Sequence, residues 1–332
     1  MKILIVTDAW QPQVNGVVRT LGNLRRELLT LGHAVEMVTP DLFPNFPCPT
    51  YPEIRLAWAG SRKIGRRIDA FAPDAVHIAT EGPLGMGARR HCLRRDIPFT
   101  TAYHTRFPEY VQARFGIPTG PLYAWLRNFH RPARHLLAPT PTIVDDLKRR
   151  GFDNVVLWSR GVDTKIFQPG PKDFLTGPRP ILLYVGRVAV EKNIEAFLSL
   201  TLPGTKYVVG EGPQKAELER RYPEVRYLGL QTEIELARFY ASADAFVFPS
   251  RTDTFGLVLL EAMATGLPVA AYPVAGPLDV IGDSGAGCLD EDLGRAIAGA
   301  LSISAEHCRS YAQSFSWTAC AEQILGHLSP RP

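Results

Sequence analysis

At 332 residues, with 45% apolar and 21% charged side chains, the chain is long enough for two domains of ordinary size and has the balance of a globular protein rather than a disordered one. No run approaches the ~20 apolar residues of a membrane span, and the five cysteines are scattered without metal-ligand spacing, as expected of a reduced cytoplasmic protein. The net charge of +4 hides a split: residues 1–165 carry 23 Lys and Arg against 14 Asp and Glu, residues 166–332 carry 14 against 19, so the first half is expected to face an anionic surface or ligand.

The N-terminus, Met1 to Asp8, reads as a first strand rather than a signal peptide. Lys2–Thr7 is a buried strand, Val17–Leu31 an amphipathic helix and Ala34–Thr39 a second strand, the opening of a parallel doubly wound α/β sheet. The loop Asp8–Gly16 leaves the carboxyl end of the first strand, where such sheets bind ligands; it lacks G-x-G-x-x-G, so no dinucleotide fingerprint is present. Residues 41–61 are Pro-rich and read as irregular. Arg62 to Ile68 predicts a basic amphipathic helix, either a solvated face or a docking face for an anionic bilayer, each cation then contributing about 1 kcal/mol. Arg89, Arg90, Arg94 and Arg95 follow on another helix.

Glu81 follows a strand and is a candidate acceptor contact. A further strand ends at Tyr103-His104-Thr105, at the ligand edge of the sheet, which favours a functional His104 over a satisfied core histidine. From Phe107 to Arg134 aromatic residues alternate with arginines. Such mixtures serve nucleic acid, membrane interfaces or plain packing; with no nucleic-acid motif elsewhere, contact with a membrane or lipid acceptor is expected and a nucleic-acid partner is not.

Pro-rich residues 168–180 read as a linker. A second sheet begins at Ile181–Arg187, with a helix from about Lys192. Arg187 at a strand end and Lys192 near a helix start suit a diphosphate, one supplying a planar fork and the other a point charge. Tyr207–Pro213 and Val225–Gly229 are further strand-and-turn units. The most constrained stretch is Phe246–Ala275: a short strand, a loop, a helix from Phe255 to Thr265 that is apolar almost all round, and a strand. Such a helix belongs in the interior, so Glu261 within it needs a partner. Its start at Thr254, Phe255, Gly256 and Leu257 is a ready anion site, and Asp253 stands just before it. The two halves repeat one architecture, and a last helix spans about Trp317–Leu328.

The run D-T-F-G-L-V-L-L-E-A-M-A-T-G-L-P-V resembles the E-x7-E segment of the family-4 retaining glycosyltransferases of GT-B fold, with Asp253 where Glu is usual. Arg187 to Lys192 resembles that family's G-R-x-x-x-x-K, Gly161-Val162-Asp163 its G-V-D hinge segment, and Tyr103 to Tyr110 the Y-H-T-x-F-P-x-Y of its glycolipid-forming members, the sulfoquinovosyl-, mannosyl- and glucosyltransferases that act on diacylglycerol or phosphoinositide. The resemblance implies two Rossmann-like parallel-sheet domains facing each other across a cleft. Residues 1–165 would be the acceptor domain and 166–315 the donor domain, with a helix in 316–332 crossing back.

It further implies a donor diphosphate held by Arg187, Lys192 and the N–H groups from Phe255 to Leu257, beside Thr254, with Asn15-Gly16 in place of the family's Gly-rich turn. Glu261 would bind the ribose, Gly210, Glu211 and Leu228 would line the base, and Asp253 and His104 would touch the sugar. Glu81, Tyr103 and Arg106 are the acceptor-side candidates. Retention without a metal or other cofactor is implied, the leaving phosphate taking the acceptor's proton. Three readings stay open: a hexosyltransferase acting on a lipid at the inner face of the cytoplasmic membrane, one acting on a saccharide acceptor in cell-surface polysaccharide or lipopolysaccharide synthesis, and a nucleotide-sugar-binding protein without turnover. The donor, a UDP-hexose, UDP-hexuronate or GDP-mannose, is left open.

Overall fold

The structure, a computed structural model, describes residues 1–48 and 51–328, without the side chains of 51–53. Positions 49 and 50 of the Pro-rich stretch and the last four residues of the expected 316–332 segment lie outside the described residues. The chain divides into two compact units, one comprising Met1–Pro108, Pro118–Arg160 and Trp317–Pro332, the other Glu109–Ile117 and Gly161–Ser316.

The first unit opens with β1 (Lys2–Val6), α1 (Gly16–Thr30) and β2 (Ala34–Val38), followed by β3 (Asn45–Cys48), β4 (Tyr51–Ala57) and α2 (Ser61–Phe71). It continues through β5 (Ala75–Ile78), α3 (Pro83–Arg94) and β6 (Phe99–Ala102) to α4 (Phe107–Phe115), most of which belongs to the second unit. Then come α5 (Thr119–His130), β7 (Leu136–Ala138), α6 (Pro141–Arg149) and β8 (Val155–Leu157). The sheet has the order β2-β1-β5-β6-β7-β8 and is parallel throughout. The 41–61 stretch is not irregular: β3 and β4 form an antiparallel hairpin outside the main sheet. Pro47 and Pro52 obscured it, because proline is tolerated only on edge strands, and both strands here are edges.

The second unit runs β9 (Ile181–Val185), α7 (Glu195–Leu198), β10 (Thr205–Val209), α8 (Lys215–Arg221), β11 (Arg226–Tyr227), α9 (Glu233–Ser242) and β12 (Ala245–Phe248). It goes on through α10 (Leu257–Ala264), β13 (Val269–Ala271), α11 (Ala275–Val280), β14 (Gly287–Leu289), α12 (Leu293–Ala300) and α13 (Ala305–Ala312), and α14 (Trp317–His327) returns to the first unit. The order β11-β10-β9-β12-β13-β14 is again all parallel. Both sheets are therefore Rossmann-like. In β9, Ile181, Leu183 and Val185 enter one apolar cluster while Leu182 and Tyr184 enter the one on the opposite face. A strand buried on both faces reads as a continuous apolar run, which made these elements visible in the sequence.

Two expected boundaries shift. The helix expected from Lys192 is a single 3-10 turn, Val190–Lys192, ended by Asn193 in the left-handed region at φ 53, and α7 is only four residues long. The helix expected from Phe255 begins at Leu257, because Gly256 precedes it at φ 87, a conformation that glycine alone adopts without strain. The aromatic and Arg alternation of 107–134 also splits: Tyr123 and Phe129 are core residues, while Phe107, Phe115 and Trp125 are exposed.

The Pro-rich 168–180 segment is fastened to the second sheet by Asp244, at the start of β12. Its carboxylate accepts from Ile181 N at 2.8 Å, Lys172 Nζ at 2.9 Å and Arg179 Nη1 at 2.6 Å. Burial works against the charge, but these donors outweigh it and hold the Asp244 carboxyl below the usual range. A depressed carboxyl contributes stability that is complete above its unfolded value, near 3.9, and is lost as pH falls through its folded value. Asp244→Asn is expected to cost about 1–3 kcal/mol at pH 7 and markedly less at pH 3, read from urea unfolding at both pH values; an equal loss at both would refute the assignment.

Candidate functional site

In an open parallel sheet, ligands bind outside the carboxyl ends of the strands where the strand order reverses. In the second unit that point lies between β9 and β12: the chain leaves β9 for β10 on one side and leaves β12 for β13 on the other. The loops that follow these two strands, 186–192 and 249–256, carry Arg187, Lys192, Asp253, Thr254, Phe255 and Gly256 of the expected donor-side residues.

The two loops are clipped together. Asn193 Nδ2 donates to the Pro249 carbonyl at 3.0 Å and Thr252 Oγ1 to the Glu191 carbonyl at 3.0 Å. Lys192 Nζ donates to Asp253 Oδ1 at 2.5 Å. Burial opposes the Lys192 charge, but Asp253, with Tyr110 and Tyr184, outweighs it and holds the ammonium well above the ordinary lysine range. Tyr110, on α4, is pushed up to about 12, chiefly by burial. Glu191 is buried and ion-paired with Arg114 of the same helix. Tyr184 Oη donates to the Arg187 carbonyl at 2.8 Å, fixing the backbone from which Arg187 springs. Asp253 Oδ2 is buried and, among the described residues, accepts no hydrogen bond.

Asp253 thus does not cap α10. Gly256 is the N-cap and supplies no side-chain acceptor, so the first N–H groups of the helix have no side-chain cap. Thr254 and Phe255 are buried beside them. Glu261 is 5% exposed and accepts from Tyr240 Oη at 3.1 Å, the partner its burial requires. At Gly210, φ is 139 and an added Cβ would lie 1.9 Å from the Gly186 carbonyl, so the turns after β9 and β10 approach as only glycine allows. The Glu211 side chain is tied to Lys215 at 2.5 Å, and Leu228 extends the β10 ladder through Val208.

In the first unit the order reverses between β1 and β5. After β1, Asn15 is the N-cap of α1: its Oδ1 accepts from Val17 N and Val18 N, each at 3.0 Å. The expected open turn at Asn15-Gly16 is thus a capped helix start in which two of the free N–H groups are already bound. After β5, Glu81 Oε1 meets His130 Nε2 at 3.2 Å, and His130 Nδ1 meets Thr101 Oγ1 at 2.9 Å. Tyr103 is 1% exposed, its hydroxyl 3.3 Å from that of Tyr123, and Arg106 donates to Asp146 at 3.0 Å. Both side chains are engaged within the unit.

His104, just past β6, packs edge-on to Trp158 at 5.9 Å, with Arg160 Nη2 3.4 Å from its Nδ1. Burial, then the charge of Arg160, hold its pKa well below the ordinary histidine value; His77, on the other side of Trp158, is lowered to about 3 for the same reasons. The expectations did not include His130, Tyr240 or Trp158, whereas Arg160 stands beside His104 in the resemblance to the lipid-acting members of the family. Tyr110 left a local trace, as the last residue of the Y-H-T-x-F-P-x-Y run. Among the described residues no group of three or more His, Cys, Asp or Glu side chains could hold a metal ion.

A family model described as Glycosyltransferase Family 4 matches residues 14–166, and one described as Glycosyl transferases group 1 matches residues 179–304. The chain is 30% identical to a GDP-mannose-dependent alpha-mannosyltransferase of Mycobacterium tuberculosis (strain CDC 1551 / Oshkosh), over 98% of this chain and 96% of that protein. It is 33% identical to a sulfoquinovosyl transferase of Arabidopsis thaliana, over 81% of this chain and 58% of the relative. It is 26% identical to an alpha-monoglucosyldiacylglycerol synthase of Streptococcus pneumoniae, over 91% and 78%. Among solved structures, sucrose-phosphate synthase from Thermosynechococcus elongatus shares the fold with a TM-score of 0.76 at 22% identity, over 98% of both chains.

Removing one member of a buried ion pair strands the other charge, at a cost of about 3–5 kcal/mol. Lys192→Ala should therefore destabilise the second unit more than the double variant Lys192→Ala/Asp253→Ala, with a coupling between the two sites above about 1 kcal/mol. Additive single losses in urea unfolding would show that the pair is not coupled.

Proposed function

This chain belongs to glycosyltransferase family 4, and from that premise we propose that it moves a hexosyl group, with retention of configuration, from a UDP- or GDP-sugar to a lipid acceptor such as diacylglycerol at the inner face of the cytoplasmic membrane. That it is a hexosyltransferase using a nucleotide sugar follows from the family. The observation that carries the donor side of the proposal is the clip between Lys192 and Asp253 at the reversal point of the second sheet, beside the uncapped start of α10.

There Arg187 and Lys192 would hold the diphosphate, with the N–H groups from Phe255 to Leu257 completing the cradle. Negative charge grows on the diphosphate as the sugar–phosphate bond breaks, and each preorganised donor contributes roughly 3–4 kcal/mol to such a step. Lys192 suits this task because its neighbours keep it charged at every working pH. Asp253 Oδ2, a buried carboxylate oxygen with acceptor capacity left, would take a sugar hydroxyl, and Glu261, steadied by Tyr240, the ribose. Attack comes from the face the diphosphate leaves, a phosphate oxygen taking the acceptor's proton, so no metal is required.

Two features support a lipid acceptor. The synthase of Streptococcus pneumoniae is by name a diacylglycerol enzyme. On this chain, α2 buries Ile64 and Ile68 while Arg62, Lys63 and Arg66 are exposed. Just before it, Phe46 and Trp58 of the hairpin region are 42% and 73% exposed, their rings 6.4 Å apart. Cations beside exposed aromatic rings match an anionic bilayer surface, and no helix among the described residues is long and apolar enough to cross a membrane.

The test is transfer from a panel of UDP- and GDP-sugars, with and without diacylglycerol in anionic vesicles. Vesicle-dependent transfer is expected, abolished by Lys192→Ala and by Glu261→Ala. The triple variant Arg62→Gln/Lys63→Gln/Arg66→Gln should bind vesicles on the order of a hundredfold more weakly, at about 1 kcal/mol per cation. Donor turnover onto soluble saccharides with no response to vesicles would overturn the lipid acceptor.

A further inference from the structure

Arg160 follows β8 in the segment Trp158-Ser159-Arg160 and is 4% exposed. Among the described residues no carboxylate pairs with it. A guanidinium buried without a counter-charge is costly, so the contacts that replace one are informative. Nη1 donates to the Trp158 carbonyl at 2.5 Å and the Ser159 carbonyl at 2.9 Å, and the guanidinium lies 4.0 Å from the centre of the Trp158 ring. Trp158 is itself immobilised, fully buried, with Nε1 donating to the Cys320 carbonyl at 3.0 Å and with His77 and His104 edge-on at 5.9 Å each. The remaining arm of the fork, Nη2, is aimed at His104 Nδ1 from 3.4 Å.

An arginine has only donors. Whatever it points at must present a lone pair, so Nδ1 of His104 cannot carry a proton and Nε2 must. We infer that Arg160 is a positioning residue for the transfer reaction: through the Trp158 stack it locks His104 in the neutral, Nε2-protonated tautomer, so that the imidazole offers one directed N–H to a hydroxyl of the transferred sugar. The inference rests on the reading of His104 as a sugar contact. It explains why a cation is buried here without an acid: a carboxylate in its place would accept a proton held on Nδ1, leaving Nε2 a lone pair in the neutral ring, or an N–H only on a charged imidazolium.

The experiment is long-range 1H–15N correlation NMR on the full-length, 15N-histidine-labelled protein, with His104→Gln to assign the resonance among eight histidines. Wild type should show His104 protonated at Nε2. In Arg160→Met the Nδ1-protonated form should appear, kcat should fall about ten- to hundredfold, the loss typical when the partner that orients a working histidine is removed, and the donor KM should change little. Arg160→Lys, which keeps a donor toward Nδ1, should restore the tautomer and part of the rate. An Nδ1-protonated His104 in wild type, which needs no variant, overturns the proposal, as does Arg160→Met with tautomer and kcat unchanged. His104→Gln with undiminished transfer would instead overturn the sugar-contact reading, leaving the tautomer result to stand on its own.

Discussion

The second unit depends on one electrostatic fact: a lysine and an aspartate, both mostly out of water, bonded at 2.5 Å across the two loops where the sheet order reverses. Neither charge is tolerable there alone. Together they fix the spacing of the β9 and β12 loops, and the neighbouring hydrogen bonds from Asn193 and Thr252 tie the same two loops at the backbone. A cation held in this way is preorganised, and in the proposed reaction it would meet the donor phosphate without reorganising. The β12 loop that carries Asp253 also leads into α10. The loop ends with Gly256 at positive φ, and the helix that follows is buried enough that Glu261 draws Tyr240 from α9.

The first unit applies the opposite solution to the same problem. Near the carboxyl ends of β5 and β6 lie three buried or half-buried histidines, and burial with the Arg160 charge keeps His77 and His104 neutral. His130 is satisfied on both nitrogens by Thr101 and Glu81. Other ionisable groups stand there as well: Arg160, the partly exposed Glu81, Arg106 paired with Asp146 at 3.0 Å, and the buried Asp8, which accepts from Thr80 Oγ1 and Leu84 N, each at 2.8 Å. The first unit thus buries hydrogen-bonded histidines at its ligand edge where the second buries an ion pair.

The fold was largely legible in the sequence because strands such as Ile181–Val185 are buried on both faces and leave unbroken apolar runs. Arg187, Lys192, Asp253 and Glu261 were visible as well, since they stand out against apolar surroundings. Their partnerships were not. Lys192 and Asp253 are 61 positions apart, and Glu81 and His130 are 49 apart, so no local period links them. Spacing suggested that Lys192 opens a helix, whereas Asn193 at positive φ ends a single 3-10 turn there. The hairpin at β3 and β4 was hidden by prolines that a central strand could not accept but an edge strand can. Asn15-Gly16 stands where the family has a Gly-rich turn, and asparagine followed by a helical pattern is also the signature of the N-cap that the structure shows there.

The short side chain of Asp253 bears on how the two loops are held. A shorter side chain stands closer to its own backbone, and here it meets a lysine whose reach is supplied by the 3-10 turn after β9. With one oxygen committed to that lysine, the other is left buried with acceptor capacity. One carboxylate thereby does two things: it keeps the lysine charged, and it presents an acceptor whose position is fixed by the same bond. A longer side chain would add a rotatable bond and with it entropy to be lost on ordering. The short acid is therefore stiff, and its pairing with Lys192 joins the two loops through their side chains.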